Sequence, residues 1–495
     1  MMGIHQSQSE LFNYSVNLDQ RVRADHPLRR VAQAVDFSFV RDEVAHCYGD
    51  NGNESVDPVI LLKMMFLLFF DNVPSERELM AVIRERLDYL WFLGYGLEDD
   101  IPNHSVLSKA RKRWGQEVFE RLFVRSVEQG VAAGLVGGDK LHVEASLVAA
   151  NASKDAVIKG SPELIAADKA ASAVAESKRD EPPRSHPSSE AVNDRRVSPT
   201  DPDAGLMRKG GGSSRPAYHH HRAVDDAQGV ITAVVTTSGA VPENQKLMEL
   251  VDQHEQNTGQ PVQTAVGDHK YGTADNFVAC HEHGIVTHLG DAKAKQATAS
   301  AGLLTEKDFA YDAASDTYTC PTGRELKRRR YVKKQRAWEY GTARGVCGSC
   351  PLRTRCTRSA VGRVVSRHER HDLLEECRRA AHSAAARADR RRRQYLLEGS
   401  FADAANNHGF KRARWRRLWR QQIQDHLIAT IQNVRILLAR TVRRPAMSAA
   451  LALVDAFGTL VRSMGSFWPR VEDGAWCREP ILFSHLGPAN FPARN

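Results

Sequence analysis

Length, composition and charge exclude several classes of protein at the outset. The chain has 495 residues, a formal net charge of +9 and a pI near 9.1, and its longest apolar run, residues 59–70, is too short to cross a bilayer. Eight cysteines in so long a chain also argue against a disulfide scaffold.

The same features favour a cytoplasmic protein that binds nucleic acid. The first residues lack a charged region followed by an apolar one, so no export signal is expected. The lysines and arginines are clustered, and clustered positive charge suits phosphate groups. We therefore expect a cytoplasmic, nucleoid-associated protein of about two to four domains.

The first predicted unit is helical and covers about residues 56–135. Asp57 and Ser75 stand where helix N-caps are expected, each before an apolar or amphipathic run. A third predicted helix carries Arg111 and Lys112, which suit either a DNA-recognition helix or a basic helix packed in a bundle. The sequence leaves both possibilities open.

A change of period at Lys140 marks the first predicted strand. Residues 141–148 alternate as a strand does, which places Glu144 in the middle of one face. A carboxylate there is costly to bury unless it is paired or bound to a cation. Residues 155–214 are rich in small and polar side chains, and we interpret this stretch as a mobile or partly helical insertion without its own core.

Two further stretches predict strands, and the second ends at an acid. Residues 218–224 and 230–235 flank a turn and predict a hairpin. Histidines 219–221 are not expected to share a metal, because neighbouring side chains on a strand point to opposite faces. Residues 262–267 predict a buried strand that ends at Asp268, and an acid at the carboxyl end of a buried strand is a common functional position.

A third acid, Glu398, lies at the predicted start of a helix, between a run of arginines and a second basic run. Apolar residues from Ile423 to Leu438 recur at three- and four-residue steps, so this region is predicted to be a helix with one face in a core. Such a carboxylate suits either a metal ion close to phosphates or the surface of a basic helix. The basic residues around it are Arg390, Arg391, Arg392, Arg393, Lys411, Arg412, Arg414, Arg416 and Arg417.

Four cysteines between the second and third acids form a candidate zinc site. The gap between Cys347 and Cys350 is that of a zinc half-site, and Cys356 and Cys320 could complete a closed tetrahedral set of thiolates. The alternative is free thiols. The surrounding residues 327–334 are strongly basic, which would suit a zinc-stapled unit that clamps DNA.

Taken in order, these features resemble the DDE transposases of bacterial insertion sequences. The resemblance covers about residues 10–440 and depends on the order in which its motifs occur. The motifs are Asp57-Pro58, Ser75-Glu76-Arg77-Glu78-Leu79, Pro102-Asn103-His104-Ser105, residues 143–153, residues 198–204, Asp268 with Tyr271-Gly272, Glu398-Gly399, Asn407-His408-Gly409 and Gln432-Asn433.

The resemblance implies a multi-domain α/β fold. Its parts are an N-terminal helical domain, a ribonuclease-H-like mixed sheet flanked by helices, and a small cysteine-rich insertion. The implied boundaries are 1–138 for the helical domain, which would bind DNA ends and oligomerise, 139–310 for the first part of the catalytic domain, 311–375 for the basic insertion, 376–441 for the closing helices and 442–495 for a C-terminal tail.

The resemblance also implies an activity and its residues. A transposase of this family cleaves DNA at the ends of a mobile element and joins the ends to target DNA. It acts as a homodimer and does not bind a membrane. Glu144, Asp268 and Glu398 would be the catalytic acids and would hold two Mg²⁺ or Mn²⁺ ions. The implied DNA-binding residues are the nine basic residues around Glu398 with Lys270, Tyr271 and His408. Tyr271, His408 and Trp415 would stack on a base, or else they pack in the core.

Two positions depart from the family pattern. The family has Asp where this chain has Glu144, and Lys where it has Ala405. One extra methylene moves a carboxylate by over an ångström, and misplacement by about 1 Å can cost about 100-fold in rate. A catalytically inactive DNA-binding relative and a nuclease of the same fold are therefore the alternatives to an active transposase.

Overall fold

A computed structural model describes residues 16–49, 54–159, 196–208, 213–291 and 302–441. The chain divides into two compact units, residues 1–440 and 441–495, and the fold described below is that of the first. The predicted C-terminal tail and most of the predicted insertion at 155–214 lie outside the described residues. Of the helices in these ranges, none has the length and apolarity that a membrane span requires.

The N-terminal region is helical, as predicted, and its helices begin at the predicted caps. Asp57 Oδ1 accepts a hydrogen bond from the Val59 amide at 2.9 Å, and Ser75 Oγ accepts one from the Glu78 amide at 3.1 Å. The helices are α1 Leu18–Arg21, α2 Pro27–Ala34, α3 Val40–Val44, α4 Pro58–Phe70, α5 Glu76–Glu85, α6 Leu87–Leu93, α7 Ser105–Trp114 and α8 Glu117–Ala132.

A six-stranded mixed sheet follows the helices. The order of its strands is β4-β5-β1-β7-β8, and β6 pairs with β5. Strand β1 is antiparallel to β5 and parallel to β7, which is parallel to β8. The strands are β1 Lys140–Ala149, β4 Gly205–Met207, β5 Arg215–Asp225, β6 Ile231–Ser238, β7 Thr264–Gly267 and β8 Val286–Leu289, and a separate two-stranded ribbon is formed by β2 Ile158–Lys159 and β3 Arg196–Val197.

Helices cover both faces of this sheet. Apolar side chains of β1, α9, α10 and α12 form one core cluster, and α13 and α14 pack with the N-terminal helices on the other side. The helices are α9 Leu247–Thr258, α10 Ala274–Glu282, α11 Arg353–Cys356, α12 His371–Ala381, α13 Ala384–His408 and α14 Leu418–Thr441.

The basic helical region around Glu398 is two helices rather than one. Helix α13 ends at Gly409, whose φ of +64° is a left-handed conformation that favours glycine. Residues 410–417 then form a loop, and α14 begins at Leu418. Glu398 therefore lies within α13, not near the start of a helix as the pattern suggested.

The N-terminal helices do not have a core of their own. One apolar cluster contains Phe66 and Phe69 of α4 together with Leu397 and Phe401 of α13. The imidazole of His408 joins the two helices, because its Nδ1 lies 2.7 Å from the Phe69 carbonyl oxygen. Helix α13 is thereby held between the mixed sheet and the N-terminal helices.

The cysteine-rich region contains a second, antiparallel sheet. Its strands in spatial order are β13-β12-β11-β10-β9, and a small cluster of buried aromatic and aliphatic side chains stabilises it. The strands are β9 Ala310–Asp312, β10 Thr317–Thr319, β11 Glu325–Val332, β12 Ala337–Gly341 and β13 Val364–His368.

One part of the predicted insertion is packed, which corrects the sequence interpretation. Ser198 and Asp201 are buried, and β4 pairs with β5 at the edge of the mixed sheet. Asp201 accepts hydrogen bonds from the Tyr218 hydroxyl at 2.6 Å and from the Arg417 amide at 2.9 Å. The composition did not reveal these long-range partners, so residues 196–207 were wrongly assigned to a segment without a core.

The face of the sheet toward α14 buries a group of histidines. His220 Nδ1 lies 3.0 Å from Oδ2 of Asp425, and His426 stacks on Phe123 with ring centroids 5.6 Å apart. Burial lowers the pKa of His426 to about 4 and also lowers that of His220. Both imidazoles are therefore neutral at neutral pH in the folded protein.

We expect acid to destabilise the protein through this group. The unfolded chain binds a proton on His426 near pH 6.5, whereas the folded chain does so only near pH 4, so stability is full above pH 6.5 and is lost as the pH falls toward 4. The shift corresponds to about 3 kcal/mol for this residue. Urea unfolding gives the free energy of unfolding at pH 6.5 and at pH 4. The difference between these two free energies should be smaller for His426→Phe than for the native chain. An equal difference in the two proteins would contradict the assignment, and the exposed His281→Gln should leave it unchanged.

Candidate functional site

Two of the three predicted acids lie at the same level of the sheet. Strand β7 pairs in parallel with β1, with Val266 opposite His142. Two residues further along the chain come Glu144, in the middle of β1, and Asp268, directly after the end of β7 at Gly267. The two carboxylates lie close enough for Asp268 to raise the pKa of Glu144, and Glu144 is directed to the face covered by α13, where it contacts Arg393.

An arginine of α13 neutralises the first of these acids. Arg393 Nη1 lies 2.5 Å from Glu144 Oε2, and the two side chains are only 12% and 25% exposed. Burial raises the pKa of Glu144, Arg393 opposes this shift, and Asp268 and Glu243 raise the pKa further. Glu144 is thus a half-buried carboxylate that needs a nearby cation, which in this structure is the Arg393 guanidinium.

Glu243 is a fourth acid at this place, and the sequence interpretation missed it. It begins a short 3₁₀ helix five residues after the end of β6, and it forms an ion pair with Lys270. Although burial lowers the pKa of Lys270, Glu243 raises it, with help from Asp268 and Glu144. Glu243 and Lys270 also line an open pocket of about 710 Å³ together with Ser146. Its position after a strand is the signal that could have revealed it, as it revealed Asp268.

The third predicted acid, Glu398, is exposed on α13. It accepts a hydrogen bond from Gln394 Nε2 at 3.0 Å. It lies five residues after Arg393, which is about 7.5 Å further along the helix axis and about 140° around it. Glu398 therefore belongs to the same helix as Arg393, but it points away from the direction in which Arg393 reaches Glu144.

The chemistry of these residues suits a divalent cation only in part. Glu144, Asp268 and Glu243 bring negative charge together, and carboxylate oxygens are the ligands that Mg²⁺ and Mn²⁺ prefer. Throughout the described ranges, however, no three His, Cys, Asp or Glu side chains are arranged to hold one metal ion. The structure thus brings Glu144 and Asp268 together and leaves Glu398 outside a closed set of ligands.

The predicted DNA-binding arginines of α13 differ in their surroundings. Arg391 and Arg392 are exposed, and Arg392 also forms an ion pair with Asp226 at 3.2 Å. Arg390 is partly buried, and Arg393 is taken up by Glu144. Only the exposed members of this run present a guanidinium to a phosphate without a change of side-chain conformation.

The basic residues of the 410–417 loop also divide into two groups. Arg412 and Arg416 are exposed, and Lys411 Nζ donates to Ser146 Oγ at 2.7 Å, on the same face of β1 as Glu144. In contrast, Arg414 donates to the Val73 carbonyl, and Arg417 is buried against Asp203 at 3.4 Å. The last two hold the loop in place rather than face a DNA backbone.

The aromatic residues predicted to stack on a base are packed in the protein. Tyr271 and His408 are completely buried. The indole of Trp415 contacts Phe69 edge-to-face at 5.5 Å and lies under the guanidinium of Arg111 at 3.9 Å. The core-packing alternative therefore describes these residues in this structure, because apolar burial outweighs exposure of such large rings.

The predicted recognition helix, α7, is packed in the bundle through its arginine. Arg111 is buried, and its Nη1 lies 2.5 Å from Glu76 Oε1. A buried guanidinium paired in this way stabilises the contact between α7 and α5 and cannot read a DNA base.

The four cysteines of the basic insertion line one small cavity of about 30 Å³. Burial raises the pKa of Cys356, and the thiols of Cys347, Cys350 and Cys320 raise it further. The Sγ atoms of Cys320 and Cys347 also have hydrogen-bond partners: Thr322 Oγ1 lies 3.1 Å from Cys320, and Thr342 Oγ1 lies 3.2 Å from Cys347. No three of these side chains form a metal-binding arrangement as they stand, and none of the seven described cysteines forms a disulfide.

We expect zinc to bind at this cavity. All four cysteines line this one space, and four thiolates are the ligand set of a closed structural zinc site. Protein purified without chelators should contain about one zinc per chain by elemental analysis, and Cys350→Ser should remove it. Cys377→Ser is the matched control, since this cysteine lies on α12 away from the cavity. Zinc-free native protein, or zinc retained by Cys350→Ser, would contradict the site.

Comparison with known proteins gives two family matches. A family model described as "Transposase domain (DUF772)" matches residues 16–113, and one described as "Transposase DDE domain" matches residues 319–438. The first match covers α1 to α7 of the N-terminal helices, and the second covers most of the basic insertion with α13 and α14. No curated protein matches the chain.

Proposed function

Because this chain belongs to the DDE transposases of insertion elements, we propose that it cleaves DNA strands at the ends of its own element and joins them to target DNA. The observation that carries this proposal is that Glu144 of β1 and Asp268, which follows the parallel strand β7, lie close together beside a helix rich in arginine. The family binds DNA and uses divalent metal ions in general.

We assign the catalytic role to Glu144, Asp268 and Glu398. When bound, divalent ions would supply Lewis-acid activation of a water molecule and of the DNA phosphate. Glu144 and Asp268 would hold them, and Glu398 would join if its side chain turns toward the strand ends. Lys270 pairs with Glu243 and Arg393 pairs with Glu144, so these cations offset part of the negative charge around the acids.

In the proposed reaction, water attacks the phosphorus atom at the element end. The bond from phosphorus to the 3′ oxygen breaks, and a 3′-hydroxyl and a 5′-phosphate result. The 3′-hydroxyl then attacks a phosphodiester of the target DNA and displaces its 3′ oxygen, so that one bond forms for each bond that breaks. Exposed guanidinium groups such as those of Arg391, Arg392, Arg412 and Arg416 would hold the DNA backbones through ion pairs.

The proposed enzyme acts as a homodimer, with one copy on each terminal inverted repeat. It is tested with two DNA duplexes that carry the repeats flanking the reading frame, in Mg²⁺ or Mn²⁺. Nicking at the repeat ends and joined products support a transposase, whereas nicking alone supports a nuclease of the same fold. Binding without nicking supports an inactive relative.

One contact favours the alternative that this chain binds DNA but does not cleave it. The Glu144 carboxylate is occupied by Arg393, and its arm is longer than that of the Asp found in the family. If this ion pair persists in the DNA complex, the protein would bind element ends without cutting them.

A further inference from the structure

Several motifs that are far apart in the sequence line one groove of about 840 Å³. The residues come from the start of α5, from the turn before α7, from the end of β1 and from the loop after α13. We name this the motif groove and define it by Arg77, His104, Asn151, Arg412 and Trp415. The groove joins the N-terminal helices to the closing part of the mixed sheet.

The charge of the motif groove is positive. Arg77 and Arg412 are exposed, and across the described residues neither side chain forms an ion pair. Glu76 is the one acid among the residues that line the groove. Its charge is neutralised inside the protein, because it pairs with buried Arg111 and accepts a hydrogen bond from Trp415 Nε1 at 3.1 Å. Two guanidinium groups therefore remain available to an anionic ligand.

The floor of the motif groove is rigid. Asn151 Nδ2 donates to the Arg414 carbonyl at 3.0 Å, and Arg416 Nε donates to the Asn151 carbonyl at 3.3 Å. Ala149 and Arg412 are bridged as parallel strands are. The loop that carries Arg412 is thus fixed to the end of β1, which limits the conformational entropy that ligand binding must overcome.

The same strand leads from the groove to the paired acids. Lys411 contacts Ser146, two residues after Glu144, and Arg412 lies beside Ala149, five residues after Glu144. Five strand residues span about 16 Å, which corresponds to about five base pairs of a DNA duplex at 3.4 Å each. A duplex with its cleaved phosphate at Glu144 and Asp268 could therefore continue into the motif groove.

We propose that the motif groove binds the backbone of duplex DNA about five base pairs from the cleaved phosphate, through Arg77 and Arg412. The stated distance from the cut rests on the proposed function. The proposed binding of a DNA backbone rests on the charge and the location of the groove. Phosphate contacts of this kind fix the register of a duplex without reading its sequence. The site would hold the element end in line with the acids.

The test measures how DNA affinity depends on salt. Full-length protein is titrated into a labelled duplex of about 30 base pairs of mixed sequence, in EDTA, between about 50 and 200 mM NaCl. The variants are Arg77→Gln, Arg412→Gln and their combination. The control is Arg23→Gln, an exposed arginine of the N-terminal region that pairs with Asp25 instead. Circular dichroism melting checks that each variant folds.

We expect each groove variant to weaken binding and to lower the slope of log K against log salt by about 0.9, and the double variant by about 1.8. Arg23→Gln should keep the native slope. The proposal is overturned if the double variant keeps the native slope while folded, or if Arg23→Gln lowers it as much.

The outcome is independent of the cleavage chemistry. The binding assay contains no divalent metal, so a reduced slope supports the motif groove even if the native chain never cuts DNA. Conversely, cleavage by the native chain with an unchanged slope in the double variant retains the proposed function and removes the groove.

Discussion

Asp268→Asn should abolish DNA cleavage while DNA binding remains. Asp268 is at the end of β7, level with Glu144, and its backbone is fixed by hydrogen bonds from Tyr271 and Gly290 to its carbonyl oxygen. The amide has the shape of the carboxylate but lacks its charge, so it cannot hold a divalent ion in the same way. We expect nicking at the element ends to fall by more than about 100-fold, the loss that a 1 Å misplacement alone can cause.

The matched control is Asp252→Asn. Asp252 is exposed on α9, so the same chemical change there should leave nicking and binding at the native level. Nicking should be measured on labelled duplex in Mg²⁺ and in Mn²⁺, and binding in EDTA. Cutting by Asp268→Asn at the native rate would remove Asp268 from the active site.

Glu144→Asp should increase the cleavage rate. The longer arm of Glu144 brings its carboxylate to 2.5 Å from the Arg393 guanidinium. Removal of one methylene draws the carboxylate back toward the strand by over an ångström, away from this competing cation. If the native geometry is off by that distance, the gain is up to about 100-fold.

Arg393→Gln separates the two causes. It removes the competing cation but leaves the long arm of Glu144, so it should tighten Mn²⁺ binding with a smaller gain in rate than Glu144→Asp. Both variants are compared in single-turnover nicking assays with saturating protein. A lower cleavage rate for Glu144→Asp than for the native chain would mean that Glu144 already places its carboxylate correctly. The greater length of its side chain would then not slow cleavage.

The sequence predicted most of the sheet and the position of two acids. Alternation in β1 gave the face of Glu144, and the buried strand before Asp268 gave its place at a strand end; both follow from local patterns of side chains, and the structure confirms them. The caps at Asp57 and Ser75 were also predictable, because a cap depends only on residues within one turn.

Long-range partners were not predictable in the same way. Arg393 belongs to a basic run that suggested contact with phosphates, and its ion pair with Glu144 joins residues 249 positions apart. Likewise, the burial of His408 and Arg417 depends on Phe69 and Asp203, which no local pattern connects to them. Glu243 was missed because a single acid after a strand becomes informative only when the neighbouring strand ends are known.

The most direct test is a crystal structure of the full-length protein grown with Mn²⁺, with anomalous diffraction measured at the manganese edge. We expect an anomalous peak within bonding distance of carboxylate oxygens of both Glu144 and Asp268, with Arg393 displaced from Glu144. If Arg393 still covers Glu144 and no manganese lies at either carboxylate, these acids do not hold the catalytic metal.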